Sequence, residues 1–179
     1  KDVIEKYLEN KEQKNQKGIL YLSDLNSDYN TGALDISAIE LIGENGKPKS
    51  EFYFKEVITV KIALNIKKNL KNCSVAVMIG DLRGKIILYS ESGSIGSFRG
   101  DINEGRHESI TRIRSKMLPG VFSIYVGVNK DNGQTLEWLE RVFDFKVLRI
   151  GVKPDSNYPW DTVHGLVNDN STWEIKESN

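Results

Sequence analysis

The chain has 179 residues, and 25 Lys and Arg balance 25 Asp and Glu, so its formal net charge at pH 7 is zero. This balance, without any basic run, argues against a nucleic-acid or anionic-lipid surface. The length suits one domain with appendages, the single cysteine excludes an internal disulfide, and no apolar run is long enough to cross a bilayer.

Residues 1–33 are predicted to be a linker helix and loop that follow a preceding domain. Apolar residues recur at helical spacing between Val3 and Leu8, and a polar stretch comes next. Residues 23–33 are rich in Ser, Asp, Asn and Gly, which indicates a loop. Because the chain begins with Lys rather than Met, we expect a fragment of a longer polypeptide, with one β-sandwich domain at residues 34–179.

Short strands separated by turns are predicted from residue 34 onwards. Each is an alternation of apolar and polar residues, or a short apolar run, bounded by Gly, Asn, Asp or Ser. The predicted strands are 34–42 with a β-bulge near Ser37-Ala38, 57–66, 73–81, 85–90, 107–114, a hairpin within 118–148, and 172–176. This series, almost without helix, predicts an all-β antiparallel sandwich.

The hairpin within residues 118–148 shows this two-faced pattern most clearly. Apolar residues alternate with polar or small ones from Phe122 to Val128, and again from Phe143 to Val147. Asn132-Gly133 between the two runs is a typical turn. One face of this unit is therefore expected to be buried and the other to face solvent.

The final predicted strand follows a long connection that contains Pro154 and Pro159. Trp173 and Ile175 lie on one side of this strand. A hydrophobic terminal strand on a long tether can pair with its own sheet or with a second copy of the chain, because either arrangement covers its apolar side. A domain-swapped homodimer that uses Trp173 and Ile175 is therefore one expectation.

The sequence contains no recognisable catalytic or cofactor motif. It has neither a GxSxG elbow nor a GxxxxGKS/T phosphate loop, and Cys73, His107 and His164 do not have the spacing of a zinc site. Asp101 and Glu104 are expected to be solvated loop charges, since nothing near them in sequence would bury an acid. We therefore expect a binding domain without enzymatic activity, cofactor or metal.

Sugar binding requires only a surface of aromatic and planar polar side chains. An aromatic ring packs against the apolar face of a pyranose, while carboxylates and guanidinium groups bind its hydroxyls. Such residues are predicted to project from the polar faces of their strands, and they meet only if those strands are neighbours. The candidate carbohydrate-binding residues are Tyr89, Arg112, Arg114, Tyr125 and Asp144. The alternative is that they are scattered surface residues.

The three tryptophans are further candidates for sugar platforms. For Trp138 and Trp173 we favour a role in closing the edges of the core, because tryptophan is usually mostly buried. Trp160, beside Tyr158 and Pro159 in the long connection, is compatible with either role.

The order of the sequence motifs resembles one family. The motifs are GENGKP at 43–48, NLKNCSVAVMIGDLRGKIILYSES at 69–92, LPGVFSIYVGVNKDNGQTLEWLERVFDFKV at 118–147 and GLVNDNSTWEI at 165–175. Together they are similar to the C-terminal carbohydrate-binding domain of the ATP-binding subunit, of the Wzt type, in ABC transporters that export O-antigen polysaccharides. The resemblance covers roughly residues 34–176.

This resemblance implies an immunoglobulin-like β-sandwich that dimerises by exchanging its last strand. It also implies recognition of a finished glycan, often at a modified non-reducing end, on the cytoplasmic side of the cell membrane before export. A transmembrane permease would be a partner through the parent polypeptide. The alternative is a dimerisation or docking module of such a transporter that does not contact glycan.

Overall fold

The computed structural model describes residues 18–21, 27–93, 100–114 and 116–167. The predicted N-terminal helix and the predicted strand at 172–176, with Trp173 and Ile175, lie outside these residues. The described strands are β1 (Ile19–Tyr21), β2 (Tyr29–Asn30), β3 (Leu34–Ile42), β4 (Glu51–Phe54), β5 (Ile58–Ile66), β6 (Leu70–Asp81), β7 (Ile86–Glu91), β8 (Gly100–Ile102), β9 (Gly105–Ile113), β10 (Gly120–Lys130) and β11 (Thr135–Gly151). A short 3-10 helix, Pro154–Ser156, follows β11.

The strands form two sheets. The small sheet has the order β1-β3-β5-β9, and the large sheet has the order β2-β11-β10-β6-β7, with β4 beside β11 and β8 beside β6. All strand pairs are antiparallel except β4 with β11. The predicted all-β antiparallel sandwich is thus confirmed. None of the described residues forms a helix with the length and hydrophobicity required to span a bilayer.

The inner faces of the two sheets form one continuous hydrophobic core. From the small sheet, every second residue of β5 from Ile58 to Ile66 is at most 3% exposed, and from the large sheet Phe122 and Ile124 are at most 1% exposed. Aromatic rings reinforce this packing, since Phe52 meets Phe145 edge to face at 5.8 Å. The alternation read from the sequence therefore corresponds to the buried side of each sheet.

The structure also contains strands that the sequence pattern did not indicate. The predicted bulge in β3 is present, where the register with β5 shifts between Ile36 and Ala38. However, β1, β2, β4 and β8 were not predicted, because strands of two to four residues are too short to show an alternation. Two of them, β1 and β2, precede residue 34 and pair with β3 and β11. The boundary at residue 34 itself stays a prediction.

A buried carboxylate connects the two sheets. Glu137 on β11 is 2% exposed, and it accepts hydrogen bonds from the Ile36 N–H at 2.8 Å and the Ser27 hydroxyl at 2.6 Å. β1 pairs only with residues 38–40 of β3 and ends before it reaches Ile36. The Ile36 N–H therefore has no partner on β1. Burial raises the pKa of Glu137 above its ordinary value, although the two hydrogen bonds oppose this shift.

Replacing Glu137 should affect stability through this contact. Glu137→Ala leaves the buried Ile36 N–H without its acceptor, and we expect a loss of about 1–3 kcal/mol in the free energy of unfolding. Glu137→Gln retains an acceptor of the same shape and should cost much less. Urea denaturation of both variants at neutral pH measures the difference, and equal stabilities would show that the contact is not structural.

The same residue predicts a pH dependence. A folded-state pKa above the ordinary 4.5 means that the folded protein binds this proton more tightly than the unfolded chain. The contribution of Glu137 to stability should therefore fall as the pH rises from 4.5 through the raised pKa, and be constant outside that window. Comparing unfolding free energies of the unmodified chain and Glu137→Gln across this range isolates the effect, and parallel curves would contradict it.

Candidate functional site

Aromatic side chains cluster on the outer side of the large sheet. We call this surface the aromatic face and define it by Tyr29, Met78, Tyr89, Tyr125 and Trp138. Trp138 lies between Tyr29 and Gly127 in one row across the strands, and Met78 lies between Tyr89 and Tyr125 in the next row. These positions alternate with the buried positions of the same strands, so their side chains point away from the core. Five strands thus contribute to one surface.

Glycines below the rings allow them to lie close to the sheet. A Cβ atom on Gly127 would stand 2.8 Å from Cε3 of Trp138, and one on Gly80 would stand 2.8 Å from Cε2 of Tyr125. Any larger residue would push these rings outwards. The two rings are 6.3 Å apart with 31° between their planes, and the Trp138 indole N–H donates to Glu140 at 2.9 Å. Trp138 is therefore held by contacts on several sides.

The members of the aromatic face differ in exposure, and this decides which of them can touch a ligand. Tyr29 is 50% exposed and Tyr89 is 54% exposed, while Met78 and Trp138 are half-buried. Tyr125 is only 5% exposed, and its burial raises the pKa of its phenol. Tyr125 therefore supports the neighbouring Trp138, while the other four side chains are accessible.

A shallow hollow of about 580 Å³ lies on the part of the aromatic face that contains Tyr29. It is lined by Tyr29, Met78, Trp138, Asn129 and Thr135. The last two side chains add an amide and a hydroxyl to a mostly aromatic surface, so both apolar and hydrogen-bonding groups are available there. The hollow is open to solvent and has room for part of a long, flat ligand.

Charged groups around the aromatic face are mostly acidic. Asp144 accepts from the Ser123 hydroxyl at 2.6 Å, and Asp28 accepts from the Glu140 backbone N–H at 2.7 Å. Arg141, at φ 45° in the middle of β11, provides a positive charge beside them. The Tyr125 phenol interacts with the charge of Arg141 and with those of three acids, Glu140, Asp144 and Asp81.

The structure brings three of the five predicted carbohydrate-binding residues together. Tyr89, Tyr125 and Asp144 lie on the outer side of the large sheet. Arg112 is on β9 of the small sheet, opposite Thr59, and Arg114 follows that strand. The sequence does not determine which strands are neighbours, and β9 pairs with β5 rather than with β10, which follows it in the chain. A role in glycan binding stays a prediction for all five.

Tyr29 and Met78 were not predicted from the sequence, and Trp138 was a candidate sugar platform for which a role at a core edge was favoured. The register between β10 and β11 shifts on both sides of Trp138, so a simple alternation does not show which way its side chain points. The favoured role of Trp138 at a core edge is not what the structure shows, because its ring lies over Gly127 on the outer surface. Tyr29 comes from a two-residue strand inside a stretch predicted to be loop.

Two of the residues considered for catalysis or metal binding have structural partners. Asp101 accepts from the Asn72 N–H at 3.1 Å, and the His107 ring is 2.8 Å from the Asn103 carbonyl oxygen. In the described part of the chain, no three His, Cys, Asp or Glu side chains are grouped so that they could hold a metal ion.

Comparison with known proteins identifies the family. A family model described as the Wzt C-terminal domain matches residues 26–168. The chain belongs to the Wzt C-terminal domain family. A crystal structure of the C-terminal domain of wzt is similar to this Wzt C-terminal domain with a TM-score of 0.71 at 10% identity, over 91% of this chain and 94% of that one. The resemblance seen in the sequence motifs is confirmed.

Other solved structures are less similar to this Wzt C-terminal domain. A β-glucosidase from Listeria innocua in complex with gluconolactone gives a TM-score of 0.39 at 10% identity, over 64% of this chain and 16% of that one. A Niemann-Pick type C2 protein from the Japanese carpenter ant gives 0.40 at 11% identity, over 70% and 96%. These scores are too low to bear on function. Among curated protein sequences, none is significantly similar.

Two tyrosines of the aromatic face should respond differently to truncation. Tyr125→Ala removes a ring that is 5% exposed, and we expect a loss of about 3–5 kcal/mol in stability. Tyr89→Ala removes a side chain that is 54% exposed, and should change stability by about 0.5 kcal/mol or less. Thermal unfolding of the two variants tests this contrast, and similar melting temperatures would show that Tyr125 does not support the face.

Proposed function

We propose that the aromatic face binds a polysaccharide without altering it chemically. The observation that carries this proposal is the half-buried Trp138 ring, held against Gly127 beside the exposed Tyr29. Flat apolar rings match the C–H faces of pyranose rings, because many weak dispersion contacts form at once. Asn129, Thr135 and the nearby carboxylates can bind the sugar hydroxyls.

The charge around the aromatic face suggests which glycans it prefers. Asp28, Glu140 and Asp144 are acidic, and Arg141 provides a positive charge among them. An excess of carboxylates repels phosphate groups and uronic acids, since like charges at short range are unfavourable. We therefore expect neutral or amino sugars to bind better than acidic ones.

Membership of the family supports the proposal that this binding serves a transport process. A Wzt C-terminal domain suggests that the parent protein is the ATP-binding subunit of an O-antigen exporter, which works on the cytoplasmic side of the membrane with a transmembrane permease. In this proposal the domain has an immunoglobulin-like topology, recognises the polysaccharide at its non-reducing end and couples that recognition to export. ATP hydrolysis belongs to a separate domain of the parent protein.

Binding measurements with single variants test the site. Trp138→Ala and Tyr29→Ala should each weaken binding about tenfold, or ~1.4 kcal/mol, because each removes a stacking surface. The ligand is the O-antigen polysaccharide isolated from the cells that produce this protein, and isothermal titration calorimetry gives the affinity. Thermal unfolding of each variant checks that the fold is retained.

Arg112→Ala tests this proposal against the role predicted for Arg112 from the sequence, because Arg112 is an exposed residue of the small sheet. Its affinity should equal that of the unmodified domain. Weaker binding in Arg112→Ala with unchanged binding in Trp138→Ala would move the site to the small sheet. Absence of any binding by the unmodified domain would contradict glycan recognition.

Dimerisation is a second candidate function, and β9 favours it. In the described residues, β9 pairs with β5 on one side and with no strand on the other. Next to this free edge is a cleft of about 660 Å³ whose apolar residues are Leu64, Val75, Val77, Ile102 and Ile110. An unpaired strand edge beside apolar surface is a site where another strand can add. We propose that residues 172–176 of a second copy pair there, with Trp173 and Ile175 in the cleft.

Truncation separates the two functions. A chain without residues 168–179 should be monomeric in sedimentation velocity, whereas the full chain should be dimeric, because the strand that would fill the cleft is gone. Polysaccharide binding should remain, since the aromatic face lies on the other sheet from β9. A truncated chain that stays dimeric would exclude this strand as the basis of association.

A further inference from the structure

The connection after β11 presents an exposed tryptophan on a fixed backbone. Residues 152–167 form a loop that is closed at its far end, where the Leu118 N–H donates to the Leu166 carbonyl at 2.9 Å and Met117 bridges to Val167. Trp160 in this loop is 66% exposed. Most of its indole surface is therefore open to contact by a ligand.

Arg149 fixes the backbone on which Trp160 stands. One guanidinium nitrogen donates to the Trp160 carbonyl at 2.5 Å, and the other donates to the Asp161 carbonyl at 2.7 Å. The same guanidinium lies 5.8 Å from the centre of the Tyr158 ring, which packs edge to face on Phe54 at 5.4 Å. Phe54 thus connects the loop to the core of the sandwich, and the backbone that carries Trp160 is positioned before any ligand arrives.

A hollow of about 710 Å³ lies beside Trp160. Its polar lining residues include Lys55, Asp155, Asn157 and His164. Within the described residues, no hydrogen bond reaches the Asp155 carboxylate, the His164 ring or the Trp160 indole N–H, so these groups remain available to a ligand. An exposed ring next to a carboxylate, an amide and an imidazole is the set of groups that sugar recognition requires.

We infer that Trp160 and this hollow form a second glycan subsite, separate from the aromatic face. The inference rests on the proposed function, because both subsites would bind the same polysaccharide. Trp138 is near one end of β11 and Arg149 is near the other, which places the two subsites on the order of 30 Å apart along the strand. A short oligosaccharide cannot reach both subsites, whereas a long polysaccharide can.

Simultaneous contact at two subsites gives the domain a preference for long chains. Once one segment of a polymer is bound, the second segment is held at a high effective concentration near the other subsite. The affinity for a long chain then exceeds the affinity of either subsite alone. The domain would thereby distinguish an extended polysaccharide from a short, unfinished one.

The surroundings of Trp160 favour a glycan over a membrane or protein surface. Anionic lipid attracts clusters of basic residues, but here Lys55 is accompanied by the acidic Asp155. A protein interface would need a larger continuous apolar surface than Trp160, Pro159 and the exposed Val167 provide around this hollow. Mixed charges and amide groups around one aromatic ring are instead suited to a neutral ligand with many hydroxyls.

The experiment compares long and short ligands from one source. The probes are the full-length O-antigen polysaccharide from the producing cells and short fragments, obtained from it by partial hydrolysis, that retain its non-reducing end. Trp160→Ala should lower the affinity for the long chain by on the order of tenfold or more, towards the value for the fragments, because avidity is lost. Fragment binding at the aromatic face should not change.

Two further variants complete the test. Val152→Ala is the matched control, since Val152 is 51% exposed in the same loop and does not line the hollow. It should bind both probes like the unmodified domain. Arg149→Lys cannot reproduce the two-carbonyl contact, and it should weaken binding of the long chain in the same direction as Trp160→Ala.

Several outcomes would overturn the inference. Unchanged affinity of Trp160→Ala for the long polysaccharide, with Trp138→Ala impaired, would refute the second subsite and leave the proposed function standing. Loss of phospholipid-vesicle binding in Trp160→Ala, without loss of polysaccharide binding, would assign the tryptophan to the membrane. Failure of the unmodified domain to bind either glycan probe would refute the proposed function and the subsite together.

Discussion

The register of β10 between β6 and β11 is the constraint on which the rest of this structure depends. It places Phe122, Ile124, Val126 and Val128 inside the sandwich and leaves the alternate positions outside. A shift by one residue would exchange the two faces and bury the outer positions instead. The register of β10 therefore determines both the stability of the core and the composition of the aromatic face.

The glycines of the outer face show how this register is used. Gly80 and Gly127 face outwards where a side chain would clash with the rings of Tyr125 and Trp138. The rings therefore lie against the backbone, and Tyr125 is buried although it points away from the core. A surface supported in this way is rigid, and a rigid surface binds with a smaller loss of conformational entropy than flexible loops do.

Binding of a long polymer would follow from the arrangement of two such surfaces. The aromatic face and the Trp160 hollow are both fixed by contacts to the sandwich, the first through glycines and the second through Arg149. Each is shallow, so each would bind a short segment weakly. In the proposal, their separation along β11 would relate chain length to affinity, which a single deep pocket does not do.

The sequence by itself determined the fold class, the main strands, the bulge in β3 and the family, because alternation and turn residues are local signals. It also placed Tyr89, Tyr125 and Asp144 on outer faces. Only the tertiary structure decided that these three share a sheet while Arg112 does not, since strand order depends on long-range pairing. The register shifts around Trp138 likewise depend on partner strands, and so does the burial of Tyr125 against Gly80.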